Sequence, residues 1–404
     1  MSIVPTPSVV SDPLKDAQGV VARPRLESVD LVRGGVMVLM LLDHARDFFG
    51  NSQLNPTDLT KASAALFLTR WVTHFCAPTF IFLAGMGAYL SALRGKPRGE
   101  LSAFLFSRGL WLIFLEVTVV RLGLTFDPTY QFTPLLVFWA IGVSMVVLSG
   151  LVYLPTPVIG LFGVLLIVGH NAFDNVHTGQ GGLLGTLGTI LHQRGVLAII
   201  NGKVIFALYP LIPWVGVLAA GYALGTVFRL DPHCRRAVLF GLGSALTVAF
   251  VALRASNLYG DPGPWTKQAS PLFTVLSFFN CEKYPPSLDY LLMTLGPMIL
   301  ALAIFDRGAG RLGRPLVTLG RVPLFFFVMQ WYVLHTLAIV IALIAGKPAV
   351  WLLNQGPFEP PPGYGYSLAF VYVMWVVNLI LLYWLSAWFA GVKQRRRDWW
   401  LSYL

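Results

Sequence analysis

The chain has 404 residues, 56% of them hydrophobic and 12% charged, with a mean hydropathy of +0.69. A soluble domain carries about a quarter charged residues, so soluble enzymes and binding modules are excluded. The net charge of +11 is spread in short clusters along the chain rather than gathered in one patch, which excludes nucleic acid as a partner.

Residues 1–28 are polar, contain Pro5, Pro7, Pro13 and Pro24, and have no apolar core of a secretory signal. They read as a disordered cytoplasmic tail. From there to residue 392 the chain reads as one transmembrane domain, followed by a basic cytoplasmic segment over 393–404. Apolar runs long enough to cross a bilayer suggest spans near 30–50, 71–93, 103–124, 133–153, 156–173, 203–227, 237–254, 287–306, 319–344 and 367–391. The predicted fold class is therefore an all-α integral membrane protein, a polytopic bundle of about ten transmembrane helices with both termini inside. Sixteen of the 29 basic residues fall in the tail, near 94–98, 229–236 and 307–314, and at 393–397, all on one side of such a bundle. That is the positive-inside pattern.

Three segments on the other side are long. Residues 51–70 are polar. Residues 174–202 are glycine-rich and suggest a short interfacial helix. In 255–286, "PLFTVLSFFNCEKYPPS" holds an apolar run too short to span, which reads as a half-helix lining protein or a wet cavity. Cys76, Cys234 and Cys281 are too few and scattered for a disulfide framework or a zinc site, and no metal is expected.

The first span, "RGGVMVLMLLDHARDFFG", carries ionisable groups that a bilayer penalises by about 2.5–3.5 kcal/mol each at its centre. Arg33 and His44 are eleven residues apart, close to three helical turns, so they share a face and lie roughly 16 Å apart along the axis. Two readings are open: an inner anchor and a solvated outer end, or two stations on a path through the bundle. Asp43, adjacent to His44, offers a carboxylate to orient the imidazole. His74, Glu116, Gln330, His335 and Asn378 are further polar groups inside spans, each either functional or interhelical glue. Glu116 and Arg121, five residues apart, do not face each other and each needs a partner elsewhere. "GAGRLG" at 308–313 formally matches a dinucleotide-binding pattern, but no strand precedes it. It reads as a basic inner loop, with Arg307, Arg311 and Arg314, able to anchor the chain or contact phosphates.

The stretches "RLESVDLVRGGVMVLMLLDHARDFF", "THFCAPTFIFLAGMGAYL", "FNCEKYPPSLDYLLMTLGP", "GRVPLFFFVMQWYVLH" and "RRRDWWLSYL" resemble the heparan-α-glucosaminide N-acetyltransferase-like membrane proteins, from about residue 25 to 404. The Arg33-x10-His44 spacing is also similar to that of membrane acyltransferases that O-acetylate surface glycans. The resemblance implies acetyl-CoA or another acyl-CoA entering from the cytoplasm, and an acyl group passed to an amine or hydroxyl of a saccharide-like acceptor outside. It implies a bacterial inner-membrane location and lipid as a constant partner, and leaves a homo-oligomer open. On that basis the catalytic set is His44, as base or transient acyl carrier, with Asp43, His74 and Glu116. Arg33, Arg311, Arg314 and Arg321 would hold the cofactor, and Asp47, Asn280, Lys283 and His335 the acceptor. One departure matters: the lysosomal enzyme's proposed catalytic histidine lies between its first two conserved helices, and 51–70 here contains none. The alternative function is a transporter that uses His44, Glu116 and His335 as a proton or substrate relay.

Overall fold

The computed structural model describes residues 26–51, 54–176, 178–179, 181–358, 360–396, 398 and 401. Most of the expected tail, residues 1–25, and Arg397 of the basic C-terminus lie outside the described residues.

The chain opens with α1 (Glu27–Phe49). Next come α2 (Ala64–Thr73) and α3 (Cys76–Ala92), which form one bent rod, and then α4 (Arg98–Leu115). A π-helical turn, Glu116–Val120, joins α4 to α5 (Arg121–Thr125). Strand β1 (Phe132–Leu135) leads into α6 (Val137–Leu151), and α7 (Thr156–Gly169) ends in a 3-10 turn, His170–Phe173. Then follow α8 (Gly182–Leu191), β2 (Gly195–Ile200), β3 (Lys203–Ala207), α9 (Leu211–Leu224) and α10 (Pro232–Ser256). The remainder is α11 (Pro271–Phe279), α12 (Leu288–Phe305), α13 (Gly310–Arg321), α14 (Pro323–Ile344), α15 (Leu352–Gln355) and α16 (Leu368–Arg395).

Among the described residues, eight rods are long and apolar enough to cross a bilayer, including Ala64–Ala92, Arg98–Thr125 and Leu368–Arg395. Their outward faces carry side chains such as Leu161, Leu165 and Trp384, exposed as lipid-facing residues are. The protein is an all-α polytopic membrane protein. Two of the ten expected spans differ in kind from these eight: α1, rich in charge, and α6, only 15 residues long.

Three expectations are corrected. The spans at 133–153 and 203–227 begin as strands, because 132–135 and 203–207 pair in a small sheet of order β1-β3-β2. β3 runs parallel to β1 and antiparallel to β2. Asn201 and Gly202, with φ of 52° and 79°, make the two-residue turn that closes the β2–β3 hairpin. The expected loop at 307–318 is instead mostly α13, which packs along α1. There Gly34 and Gly320 carry the contact: a Cβ on either would lie 1.9 Å from the Leu316 or the Asp30 carbonyl oxygen. Helices in lipid gain little from hydrophobic burial, and such small-residue contacts let their backbones meet.

The expected half-helix is present as α11, capped by Ser270, whose hydroxyl accepts from the Phe273 N–H at 3.3 Å. At its other end, the buried Arg254 of α10 donates to the carbonyls of Phe278 (3.0 Å) and Asn280 (2.9 Å). The guanidinium thereby satisfies the orphan carbonyls of a helix that stops inside the protein.

Candidate active site

The polar end of α1 is organised around Asp43, which is buried. Arg70 Nη1, from α2, donates to both its carboxylate oxygens at 2.8 and 2.6 Å. The Thr73 hydroxyl donates at 2.9 Å, and Arg46 Nη1 lies 2.7 Å away, one helical turn on. Arg46 also reaches Asp47 at 2.6 Å. The carboxylate is thus committed to two guanidiniums and a hydroxyl, the full set of partners a buried charge requires.

Asp43 is therefore not the group that orients His44. Adjacent helix residues project about 100° apart, and the His44 ring turns away to stack on Trp331, with centroids 4.0 Å apart and planes 30° apart. Phe327 meets its edge, with centroids 6.4 Å apart. His44 Nδ1 is buried and makes no hydrogen bond. The imidazole is held by aromatic packing, and the Gln330 side chain is its polar neighbour.

Three cavities lie in series along this face. The middle one, about 210 Å³, is lined by Asp43, His44, Arg46, Asp47 and Arg70, with Lys283, Tyr284 and Trp331 opposite. The sheet shapes its wall: Leu136 and Val137 follow β1, while Leu208 and Tyr209 follow β3. An inner cavity of about 450 Å³ is lined by Arg33, Arg94 and Arg108, with Ser91 and apolar residues of α3, α4 and α6. The inner and middle cavities share Phe80, Val137 and Phe327 in their walls. A polar third cavity, about 430 Å³, contains His74, Arg194, Asn280 and Glu282, and shares Arg46, Arg70, Lys283 and Tyr284 with the middle one.

Arg33 and His44, paired by spacing alone, thus sit in neighbouring cavities with a three-residue septum between them. Asn280 and Lys283 sit together in the third cavity, and Asp47, Lys283 and His44 in the middle one. His74 caps α2, is buried, and lines the third cavity; its carbonyl accepts from the Tyr290 hydroxyl at 2.7 Å. Arg33 has a second task, since its Nη1 donates to the Gly320 carbonyl (3.1 Å) at the end of α13 and lies 3.2 Å from Asp30.

Other expected residues stand elsewhere. Glu116 Oε2 accepts from the backbone N–H groups of Phe138 (2.7 Å) and Trp139 (3.2 Å). It caps α6 just behind the septum, and the π turn that begins at Glu116 sets its aim. With Leu136, those N–H groups are backbone donors at the start of α6, the groups a helix cap holds. His335 bridges the carbonyls of Gly123 (3.0 Å) and Leu352 (2.9 Å) and stacks on Phe126, with ring centroids 3.9 Å apart. It ties three segments together and lines none of these three cavities. Arg311, Arg314 and Arg321 lie on α13, outside the inner cavity, because that segment folds as a helix against α1 rather than as a phosphate-binding loop.

Sequence reading missed Arg70, Arg94, Arg108 and Trp331. Arg108 had a usable signal, an arginine inside an apolar span. Arg94 was counted only as an inner anchor, and Arg70 only as part of a polar outer loop. Beyond these cavities, His170, Asp174 and His192 also converge, a grouping that their separation in sequence concealed.

Among curated proteins none matches the chain. Residues 25–256, more than half of the chain, match the family model described as heparan-alpha-glucosaminide N-acetyltransferase, catalytic.

Proposed function

Because the chain belongs to the heparan-α-glucosaminide N-acetyltransferase catalytic family, a family of membrane transferases, we propose that it moves an acetyl or short acyl group from acyl-CoA through the bundle to an acceptor amine or hydroxyl. Enzymes of this family in general use acetyl-CoA. The inner cavity is the CoA site on this reading: Arg33, Arg94 and Arg108 supply the positive field that phosphates require, and the apolar wall receives the pantetheine arm.

The thioester passes the Phe80, Val137 and Phe327 septum into the middle cavity. There the His44 imidazole accepts the proton of the acceptor as its nitrogen or oxygen attacks the thioester carbonyl carbon. A C–N or C–O bond forms, the C–S bond breaks, and CoA leaves as the thiolate, which takes up the proton held by the His44 imidazolium and returns the base to its neutral form. Arg70 and Lys283 line the space where the carbonyl oxygen gathers negative charge, and stabilise it there. The third cavity, with His74, Asn280 and Lys283, admits the acceptor from the other side. A saccharide-like acceptor and a bacterial inner-membrane setting complete the reading.

The observation that carries it is the juxtaposition of an arginine-lined cavity and a His44-lined cavity across three shared side chains. The test is Val137→Phe, which enlarges the septum. Purified variant and parent are compared for CoA binding and for transfer of label from radiolabelled acetyl-CoA. Binding within about threefold of the parent, with transfer reduced by tenfold or more, supports a threaded thioester. Unchanged transfer contradicts it.

A further inference from the structure

His170, Asp174 and His192 offer ligand atoms that lie within 4.8 Å of one another. The acyl-transfer reading uses none of them. His170 opens the 3-10 turn after α7, Asp174 follows that turn, and His192 stands at the end of α8, eighteen residues further on. Folding therefore brings together two separate segments.

His170 is buried, and neither of its ring nitrogens has a hydrogen-bond partner; a contact with the Pro286 backbone falls outside hydrogen-bond geometry. Both ring nitrogens of the buried His192 are likewise without a hydrogen bond, although Nε2 lies 3.2 Å from Asp174 Oδ1. Buried imidazole nitrogens left unpaired in this way require an explanation. Zinc–nitrogen and zinc–oxygen bonds of about 2.0–2.2 Å put tetrahedral ligand atoms about 3.3–3.6 Å apart. The close but unaligned His192–Asp174 contact has nearly that spacing.

The surroundings complete the case. Asn171 Nδ2 donates to Asp174 Oδ2 at 2.8 Å and leaves Oδ1 turned toward His192. The Asn171 side-chain oxygen, Oδ1, in turn accepts from the Leu288 N–H at 2.9 Å, at the start of α12. A carboxylate held by an outer hydrogen bond is the usual support of a metal ligand. Two imidazoles and one carboxylate favour zinc and its neighbours over calcium or magnesium.

We propose that His170, Asp174 and His192 bind a divalent transition-metal ion of the zinc class, with water as the fourth ligand. The ion clips the end of α7 to the joint between α8 and β2, and so steadies the hairpin whose far end leads to Leu208 and Tyr209 of the middle cavity.

The full-length protein in detergent, stripped with chelator, is titrated with Co²⁺ and then with Zn²⁺. One equivalent of Co²⁺ with the intense visible bands of tetrahedral coordination, displaced by Zn²⁺, is the expected result. His192→Gln and Asp174→Asn abolish those bands while helical circular dichroism is retained, and Asn171→Ala weakens binding by about 10–100-fold. The exposed His233→Ala serves as the control that leaves the spectrum unchanged. Because the parent titration needs no variant to fold, it decides by itself. No stoichiometric uptake, weak octahedral bands, or a parent-like spectrum in folded His192→Gln would overturn the site.

Discussion

Arg70 Nη1 donates to both carboxylate oxygens of Asp43, at 2.8 and 2.6 Å, and so joins α2 to α1 beneath the middle cavity. Both partners are largely buried, with side-chain exposures of 14% and 12%. Removing one member of a buried pair strands the other charge, at a cost of about 3–5 kcal/mol. Asp43→Ala is therefore expected to lower the unfolding free energy of the detergent-solubilised protein by that much. A change under about 1 kcal/mol, as for an exposed pair, would show that Asp43 does not anchor Arg70.

Glu116 presents the opposite case, a buried acid whose carboxylate accepts from backbone N–H groups. Glu116→Gln keeps an oxygen acceptor for the Phe138 and Trp139 N–H groups, so acetyl transfer should stay within about fivefold of the parent. Glu116→Ala removes the cap and is expected to cost about 0.5–2 kcal/mol of stability. Thermal melts and initial rates on both variants separate the roles. Near-complete loss of transfer in a stable Glu116→Gln protein would make the residue a proton carrier instead.

The arginines of the inner cavity should act as a charge field. Arg94→Ala and Arg108→Ala are each expected to weaken CoA binding by about tenfold at low salt, with a smaller effect at high salt because screening shortens the reach of charge. Isothermal titration with CoA at two ionic strengths checks this. Salt-independent affinity would remove phosphate recognition from the cavity.

Outside the spans, Asp127 supplies a pH-dependent element. Burial pulls its carboxyl upward, but hydrogen bonds from Thr129, Gln131 and Arg121 outweigh that and hold it at about 2. Its charged form also pairs with the buried Arg121 guanidinium at 2.7 Å. A folded-state value below the unfolded value of about 3.9 means stability that is fully present above about pH 4 and lost as pH falls toward 2. Asp127→Asn should therefore be less stable than the parent at pH 7, and the gap should close under acid. A gap that persists at pH 2 would assign the effect to packing.

The apolar periodicity made most of the bundle legible, and the α1 spacing put Arg33 and His44 on one face, where they line neighbouring cavities. What stayed hidden has physical causes. The β2–β3 hairpin carried its signal in Asn201-Gly202, but β2 fell in the glycine-rich outer segment, and β3, as apolar as a span, merged with the helix after it. The basic run at 307–318 looked like a loop because glycine and charge dominate it, whereas Gly313, with Gly320 beyond it, is where α13 lies against α1. Asp43 was assigned to His44 by adjacency. The choice between its neighbours was decided by Arg70 and Trp331, which come from other helices and have no local trace.

The measurement that bears most directly on the central claim is single-turnover release of CoA thiol from acetyl-CoA in the presence of an acceptor amine sugar, with parent and His44→Ala proteins compared at equal CoA occupancy. General-base catalysis contributes about 10²–10⁴-fold, so His44→Ala should bind CoA like the parent and release thiol at least a hundredfold more slowly. Parent-like release by the variant, or a parent protein that binds no CoA but carries protons or solute across liposomes, would contradict the account.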